Sequence, residues 1–562
     1  MSVRQYIGAR YVPKFYENEL GTPEWRPNVI YEPLTIVTYS GNSYTSKKEV
    51  PAMAGSPDLT PEYWAATGDY NAQVAQIQND INQLRLDVTQ FENDVITKVH
   101  SKFVSLQDFG VTGSGDESSK VANAIQYAKA NGIDYIISST DVTLQDITIA
   151  SDMTFDMMGH TIHGVQYDPN AYRLNRMFTC SASGVNLVFK NTIFQGVTGT
   201  TTQSGAKLPY EDYALINVKN AHSVIIDNCI FTDIIASYYD TIGIGFSFIY
   251  NCVDCDNVQI SNCKFIHCRG EEIGWIRPDS KNKRHLRATL KNNYYEDLNT
   301  STCDALVGML EVYKNVYNYA YAGSLVNAFS KNVHIHDEEI LVAVSGAYDI
   351  SENDLFYADT CIVENIHCLT NVANFLSGNA GTITIRNIVG FIDRILMMTT
   401  GYGGSYVHAE TVPISYAAVN IENIYAMTDC IIITAPNNVV SGQVEVKISN
   451  SHINNNIRSI RGNKLKVLID HCWLRTRADS GFGSTPILCY FQSGDAPLSL
   501  NMKNCYINNT SGSGNEVLFG GVNGVKYVII KDNYAETSGS DTAVSGTPTN
   551  LVVKDNINIT NI

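Results

Sequence analysis

Val224-Ile225-Ile226-Asp227-Asn228 and Val258-Gln259-Ile260-Ser261-Asn262 carry one phrase: a short alternating apolar strand, a polar residue, then Asn. It also reads Leu187-Val188-Phe189-Lys190-Asn191, Ala288-Thr289-Leu290-Lys291-Asn292 and, with Asp at the end, Val333-His334-Ile335-His336-Asp337. Later copies end at Asn365, Asn387, Asn423, Asn450, His471, Asn504, Asp532 and Asp555, and the shortest intervals, 365 to 387 and 450 to 471, are 22 and 21 residues. Strands that recur at about 20–30 residues with a polar residue at a fixed corner predict a β-solenoid. Longer intervals read as one unit plus a loop, or as two units.

The corner residue has a physical reason. Each turn of a parallel coil must change direction without a hairpin, and Asn tolerates the left-handed region while its amide bonds nearby backbone. Stacked at about 4.8 Å, such amides can also bond one another. Alternation in the flanking strands sends one set of side chains into the coil and the other to its wall.

Bulk properties narrow the function. The net charge of −17 opposes a nucleic-acid backbone as partner. Charged residues are 17% and Tyr (33) far outnumbers Trp (4), which suits a large polar, aromatic wall facing neutral glycan. No secretory leader and no apolar run of membrane-spanning length is seen, so folding in a cytoplasm with thiols kept reduced is expected. Thirteen cysteines cannot all pair within the chain. Cys229, Cys263, Cys472 and Cys505 each follow a corner directly, as small interior side chains would. Cys252, Cys255, Cys263 and Cys268 have loosely zinc-like spacing, but two of them occupy repeat positions, so packing rather than metal is expected.

Three further segments set the organisation. Residues 1–69 hold a strand-turn-strand centred on Val29-Ile30-Tyr31 through Ser40-Gly41-Asn42 to Tyr44, with Trp25, Tyr39 and Trp64 as a mini-core. In residues 70–103, Val74, Ile77, Ile81, Leu84, Val88, Phe91, Val95 and Lys98 or Val99 are spaced 3,4,3,4, the seam of a self-associating coiled coil. From 104 to 562 the coil is expected, entered through Val104-Ser105-Leu106-Gln107-Asp108-Phe109-Gly110-Val111-Thr112-Gly113-Ser114-Gly115-Asp116. A helix near 118–131 follows, capped at Ser118 or Ser119, with Val121, Ala124, Ile125 and Ala128 closing the open end. Leu551-Val552-Val553-Lys554-Asp555 is still rung-like, so no separate C-terminal head is expected.

Residues 104–164, with Met153-Thr154-Phe155-Asp156-Met157-Met158-Gly159-His160-Thr161-Ile162, resemble the entry to the pectate-lyase-like right-handed β-helix of bacteriophage tailspikes and neck appendages. The pattern in 29–68 resembles the small chitin-binding-type modules of phage virion proteins, although Thr45-Ser46-Lys47-Lys48 stands where sugar binders carry aromatics. The resemblance implies a mainly β chain: a right-handed parallel β-helix behind a small β module and a coiled-coil helix. It further implies a homotrimer carried on the virion, with the N-terminal module attached to other tail or neck/portal proteins. Host cell-surface polysaccharide would be its partner, with no nucleic acid and no membrane insertion.

For chemistry, two carboxylates flanking a glycosidic bond are the usual requirement. Cys268-Arg269-Gly270-Glu271-Glu272-Ile273-Gly274-Trp275-Ile276-Arg277 falls where polygalacturonase-like coils carry Gly-Asp-Asp. Glu271, Glu272 and, one rung earlier, Asp240 are the candidate catalytic acids. Trp275, Tyr238 and Tyr239 are candidate sugar platforms and Arg277 a grip for an acidic group. A surface ion-pair loop is the competing reading of this stretch. The acidic runs Asp337-Glu338-Glu339 and Glu352-Asn353-Asp354 read as solvated loops. No cofactor, phosphate loop, nucleophile elbow or metal-binding His pair is expected. A glycan-gripping spike, a depolymerising hydrolase or lyase, and an appendage without glycan contact all remain open.

Overall fold

A computed structural model describes residues 14–68, 76, 78–91, 102–164, 177–195, 214–234, 248–268, 272–278, 286–350, 358–378, 380–397, 414–426, 432–434, 440–453, 457–461, 465–476, 487–491, 499–509, 517–536 and 541–560. The chain forms two compact units, residues 1–101 and 102–562.

In the first unit, Thr35–Tyr39, Asn42–Ser46 and Trp64–Gly68 form an antiparallel meander. Ser40 and Gly41 both take positive φ, 50° and 82°, as a tight hairpin turn requires. Trp64 is buried with Tyr31, Val37 and Val50, and Trp25 packs edge-on against Tyr39 at 5.4 Å. Residues 78–91 are helical (α1), and Ile81, Leu84, Val88 and Phe91 lie exposed along it. The other seam positions lie outside the described residues.

The second unit is a parallel coil. Among the described residues thirty-eight strands stack in parallel register, those between the two ends pairing with the rung before and the rung after. Asn186–Lys190, for example, pairs with Ser223–Asp227, and that strand with Asn257–Ser261. All thirteen phrase ends read from the sequence sit at left-handed corners, with φ between 49° and 58°. Several of the Asn corners bond one another from rung to rung. Asn228 Nδ2 donates to Asn191 Oδ1 at 2.8 Å, Asn387 to Asn365 at 2.9 Å and Asn423 to Asn387 at 3.0 Å.

One interval is decided by the structure. Of the two readings open for the stretch from 292 to 337, the structure takes two rungs rather than one unit plus a loop, because Lys314 takes the corner between them with φ 58°. A lysine there offers no corner amide, and the phrase is hidden at that point.

Helix α2, Ser118–Ala130, buries Val121, Ala124, Ile125 and Ala128 over the N-terminal end of the coil. Its N-cap is Glu117 rather than a serine. The Glu117 carboxylate is buried and accepts the backbone N–H groups of Thr112 and Gly113 at 2.7 and 3.2 Å. Burial alone would raise its pKa, yet these bonds and Lys120 hold it below the ordinary carboxylate value.

The interior is ordered in columns. Phe194, Phe231, Phe265, Tyr295 and Tyr317 stack face to face at 4.8, 4.9, 5.1 and 5.3 Å along consecutive rungs. The residue after each corner also points inward. That column runs Thr192, Cys229, Cys263, Asn293, Asn315, Glu338, Ile366 and Ile388, all buried. Eleven cysteines whose side chains are described are free and buried. Thiols after the corners bond carbonyls, as Cys263 Sγ does to Ser261 O at 3.1 Å and to Ile226 O at 3.5 Å.

Glu338 corrects the solvated-loop reading of Asp337-Glu338-Glu339. Asp337 is a corner, and Glu338 is 2% exposed inside the coil. Its Oε1 accepts Asn315 N–H at 3.0 Å and Asn315 Nδ2 at 2.9 Å, while Tyr317 Oη bonds Oε2 at 2.5 Å. Asn315 Oδ1 in turn accepts Asn293 N–H, and Asn293 Oδ1 accepts Cys263 N–H, both at 2.9 Å. Glu352-Asn353-Asp354 lies outside the described residues.

Burial pushes the Glu338 carboxyl up to about 8, and the bonds from Tyr317 and Asn315 only partly oppose this. The folded chain therefore keeps a proton that the unfolded chain releases above its ordinary value of 4.5. This contribution to stability is full below that value and is lost as pH rises towards 8. Glu338→Gln is expected to flatten that part of the stability–pH profile. At pH 9 it should be the more stable protein by on the order of a few kcal/mol, read from denaturant unfolding at pH 5, 7 and 9. A parent profile that is flat across this window would refute the buried proton.

Candidate functional site on the third face

Each rung contributes a third strand to one face of the coil, and in register these are Ala214–Lys219, Phe248–Val253, Gly274–Arg277, Cys303–Ala305, Tyr321–Asn327 and Val344–Ile350. Alternation sets one column on the outer side of these strands: Asn217 and Asn251, both buried, then Trp275, Asp304, Asn327 and Asp349, all half-buried. The members are drawn from 133 residues of chain. Stacking alone brings them together.

Of the residues expected from sequence, Glu272, Trp275 and Arg277 are on this face. Glu272 makes a bridge with Ser301 on the next rung. Trp275 and Arg277, two apart on one strand, point the same way, and the guanidinium lies 3.7 Å from the Trp ring centroid. That contact covers one ring face, so a sugar could use only the other. Glu271, Asp240, Tyr238 and Tyr239 lie outside the described residues. Trp275 is itself placed by its neighbour. Tyr250 stacks over Gly274, where a Cβ would sit 2.0 Å from the ring.

The sequence reading passed over Asp304 and Asp349. Asp304 pairs in register with Trp275 on one side and Asn327 on the other, and Asn327 Nδ2 donates to its Oδ1. Burial pushes the Asp304 carboxyl up to about 7; the Asn327 bond opposes the rise and the charge of Asp349 adds to it. Asp349 stands two rungs along, about 9.5 Å by strand spacing. Two carboxyls about 6.5–9.5 Å apart, one protonated near neutrality, can serve as the acid and base of an inverting glycosidase. No local motif marks either residue: Cys303-Asp304-Ala305 reads as an ordinary strand. The same strands begin at an open depression of about 410 Å³ lined by Tyr321, Val344, Ser345 and Asn371.

A second aromatic surface is less suited to sugar. Tyr425, His452, Trp473, Tyr506 and Tyr534 form an outer ladder with centroids 4.6, 3.9, 6.1 and 5.4 Å apart. From His452 onward the rings are stacked on one another, so their faces are spent within the ladder.

No protein-family model and no curated protein sequence matches the chain. Solved structures do. The tailspike protein 3 of bacteriophage CBA120 matches at 13% identity and a TM-score of 0.30, over 95% of this chain and 77% of its own. The tailspike of the E. coli bacteriophage HK620 matches at 10% identity and 0.29, over 82% and 79%. PfbA, a surface adhesin of Streptococcus pneumoniae, matches at 12% identity and 0.26, over 79% and 91%. Phage tailspikes are thus among the matched structures.

Gly274→Ala should force the Tyr250 ring aside and disturb Trp275, at a cost of about 1–3 kcal/mol. The readouts are a lower unfolding midpoint and altered tryptophan emission; parental values for both would show that the ring does not depend on this glycine.

Proposed function

We propose that this chain is a phage virion appendage that holds host cell-surface polysaccharide along the third face of its coil and hydrolyses it there. The observation that carries the reading is Asp304, a carboxyl raised to about 7, in one column with Asp349 and beside Trp275. Asp304 would protonate the leaving oxygen, Asp349 would activate water, and Trp275 with Arg277 would position an adjoining sugar. The appendage role draws on the tailspike resemblance of residues 104–164 and on the exposed apolar seam of α1. A homotrimer joined through that seam, with the N-terminal module fixing it to tail or neck proteins, completes the reading.

A binding-only wall is favoured by one feature. Asn327 stands between the two acids and bonds Asp304, which is where a scissile linkage would have to lie.

Purified protein incubated with capsule or wall glycan of a susceptible host should release new reducing ends with inverted anomeric configuration. Asp304→Asn should cut the rate by at least ~100-fold while leaving binding in place. No product on a glycan that the protein demonstrably binds would leave the binding-only wall. Ile81→Asp combined with Val88→Asp should convert the oligomer to monomers by light scattering; a parent that is already monomeric would end the trimer reading.

A further inference from the structure

On the first-strand face, a different side of each rung from the acidic column, Glu311, His334 and His336 bring three potential ligand atoms within 4.8 Å of one another. Among the described residues this is the cluster of three such groups that the fold assembles. The sequence signal, Val333-His334-Ile335-His336, lies within a repeat and looks only like a rung, and this cluster departs from the expectation of no metal-binding His pair. Residues two apart on a strand share a face, so His-x-His presents both rings together, and the register places Glu311 beside His334 on the preceding rung.

The geometry points to a site for a borderline divalent transition ion of the zinc class, held by His334, His336 and Glu311. Three features carry this. His336 Nε2 lies 3.8 Å from Glu311 Oε1, and the two imidazole centroids are 4.4 Å apart. Ligand atoms around a tetrahedral zinc at about 2.0–2.1 Å are about 3.3 Å from one another, so small side-chain rotations close the site. Each ring has one nitrogen held by a carboxylate, a partner of the kind that ligating histidines use. His336 Nδ1 is held by Asp337 Oδ2 at 3.0 Å, and His334 Nε2 by Glu364 Oε1 at 2.9 Å. Glu364 is itself fixed by Arg386, and the His336 ring is stacked on Tyr313 at 4.8 Å.

Charge and donor type select the ion. Glu311, Asp337 and Glu364 outweigh Arg386 and Lys314, so the pocket attracts a cation. Two imidazoles with one carboxylate suit zinc, cobalt or nickel, whereas calcium and magnesium take all-oxygen sets. Three protein ligands leave a coordination position open on the wall. The site ties two adjacent rungs together from outside.

The test uses the full chain, stripped with chelator and titrated with Co²⁺ and then Zn²⁺. One equivalent of Co²⁺ per chain is expected, with weak visible d–d bands and no thiolate charge-transfer band, which separates this site from the cysteines. Affinity should fall at least ~10-fold in Glu311→Gln and be abolished in His334→Ala/His336→Ala, with circular dichroism unchanged in both. Binding that persists undiminished in the double variant, or appears only with a thiolate band, would overturn the assignment. So would no binding by the parent chain at micromolar metal. Zinc should also raise the unfolding midpoint of the parent but not that of the double variant.

Discussion

The structure depends on one backbone constraint: every rung must turn its first strand into its second at a residue that accepts positive φ. L-residues pay about 1–2 kcal/mol for that conformation, and Asn and Asp pay least because their side chains bond locally. Among the described residues fourteen such corners, the thirteen phrase ends and Lys314, recur at one place in the coil. Because they stack, the corner that lowers the cost for one rung also supplies a hydrogen-bond partner for the next. The direction of every following side chain is then set. The first residue past the corner goes inward, and alternation assigns the remainder.

The fold was legible because this constraint is local and chemically narrow. Asn-rich corners, alternating strands and the amphipathic plug of α2 each leave a mark within a few residues. Lys314 was not legible: lysine is no signal for a left-handed corner, and only the strands either side impose it there. Glu338 was legible in principle. The offset that puts Cys229 and Cys263 inside the coil puts Glu338 there too, but three consecutive acids suggest solvent unless the offset is applied without exception.

The wall is a different case. Glu272, Trp275 and Arg277 lie together in the chain and could be found by motif. Asp304 and Asp349 have no shared neighbourhood in sequence; they stand in one column because two successive rungs, of 23 and 22 residues, return the chain to the same face. In a solenoid, loop length decouples spacing along the chain from spacing along the axis. Columns can therefore be read only after the register is known. The same holds for Glu311 and the His334/His336 pair, whose two halves belong to separate rungs.

The interruption at Lys314 has a mechanical side. Between Asn292 and Asp337 the outer line of corner amides is broken, and over the same rungs the inner line of Asn293, Asn315 and Glu338 carries side-chain bonds in its place. A coil tugged at one end transmits tension from rung to rung. Here the lateral clasp passes from the rim of the coil to its lumen, out of reach of water that would compete for it. This segment should shear last under tension while its carboxyl is protonated, and give way sooner once alkali removes that proton.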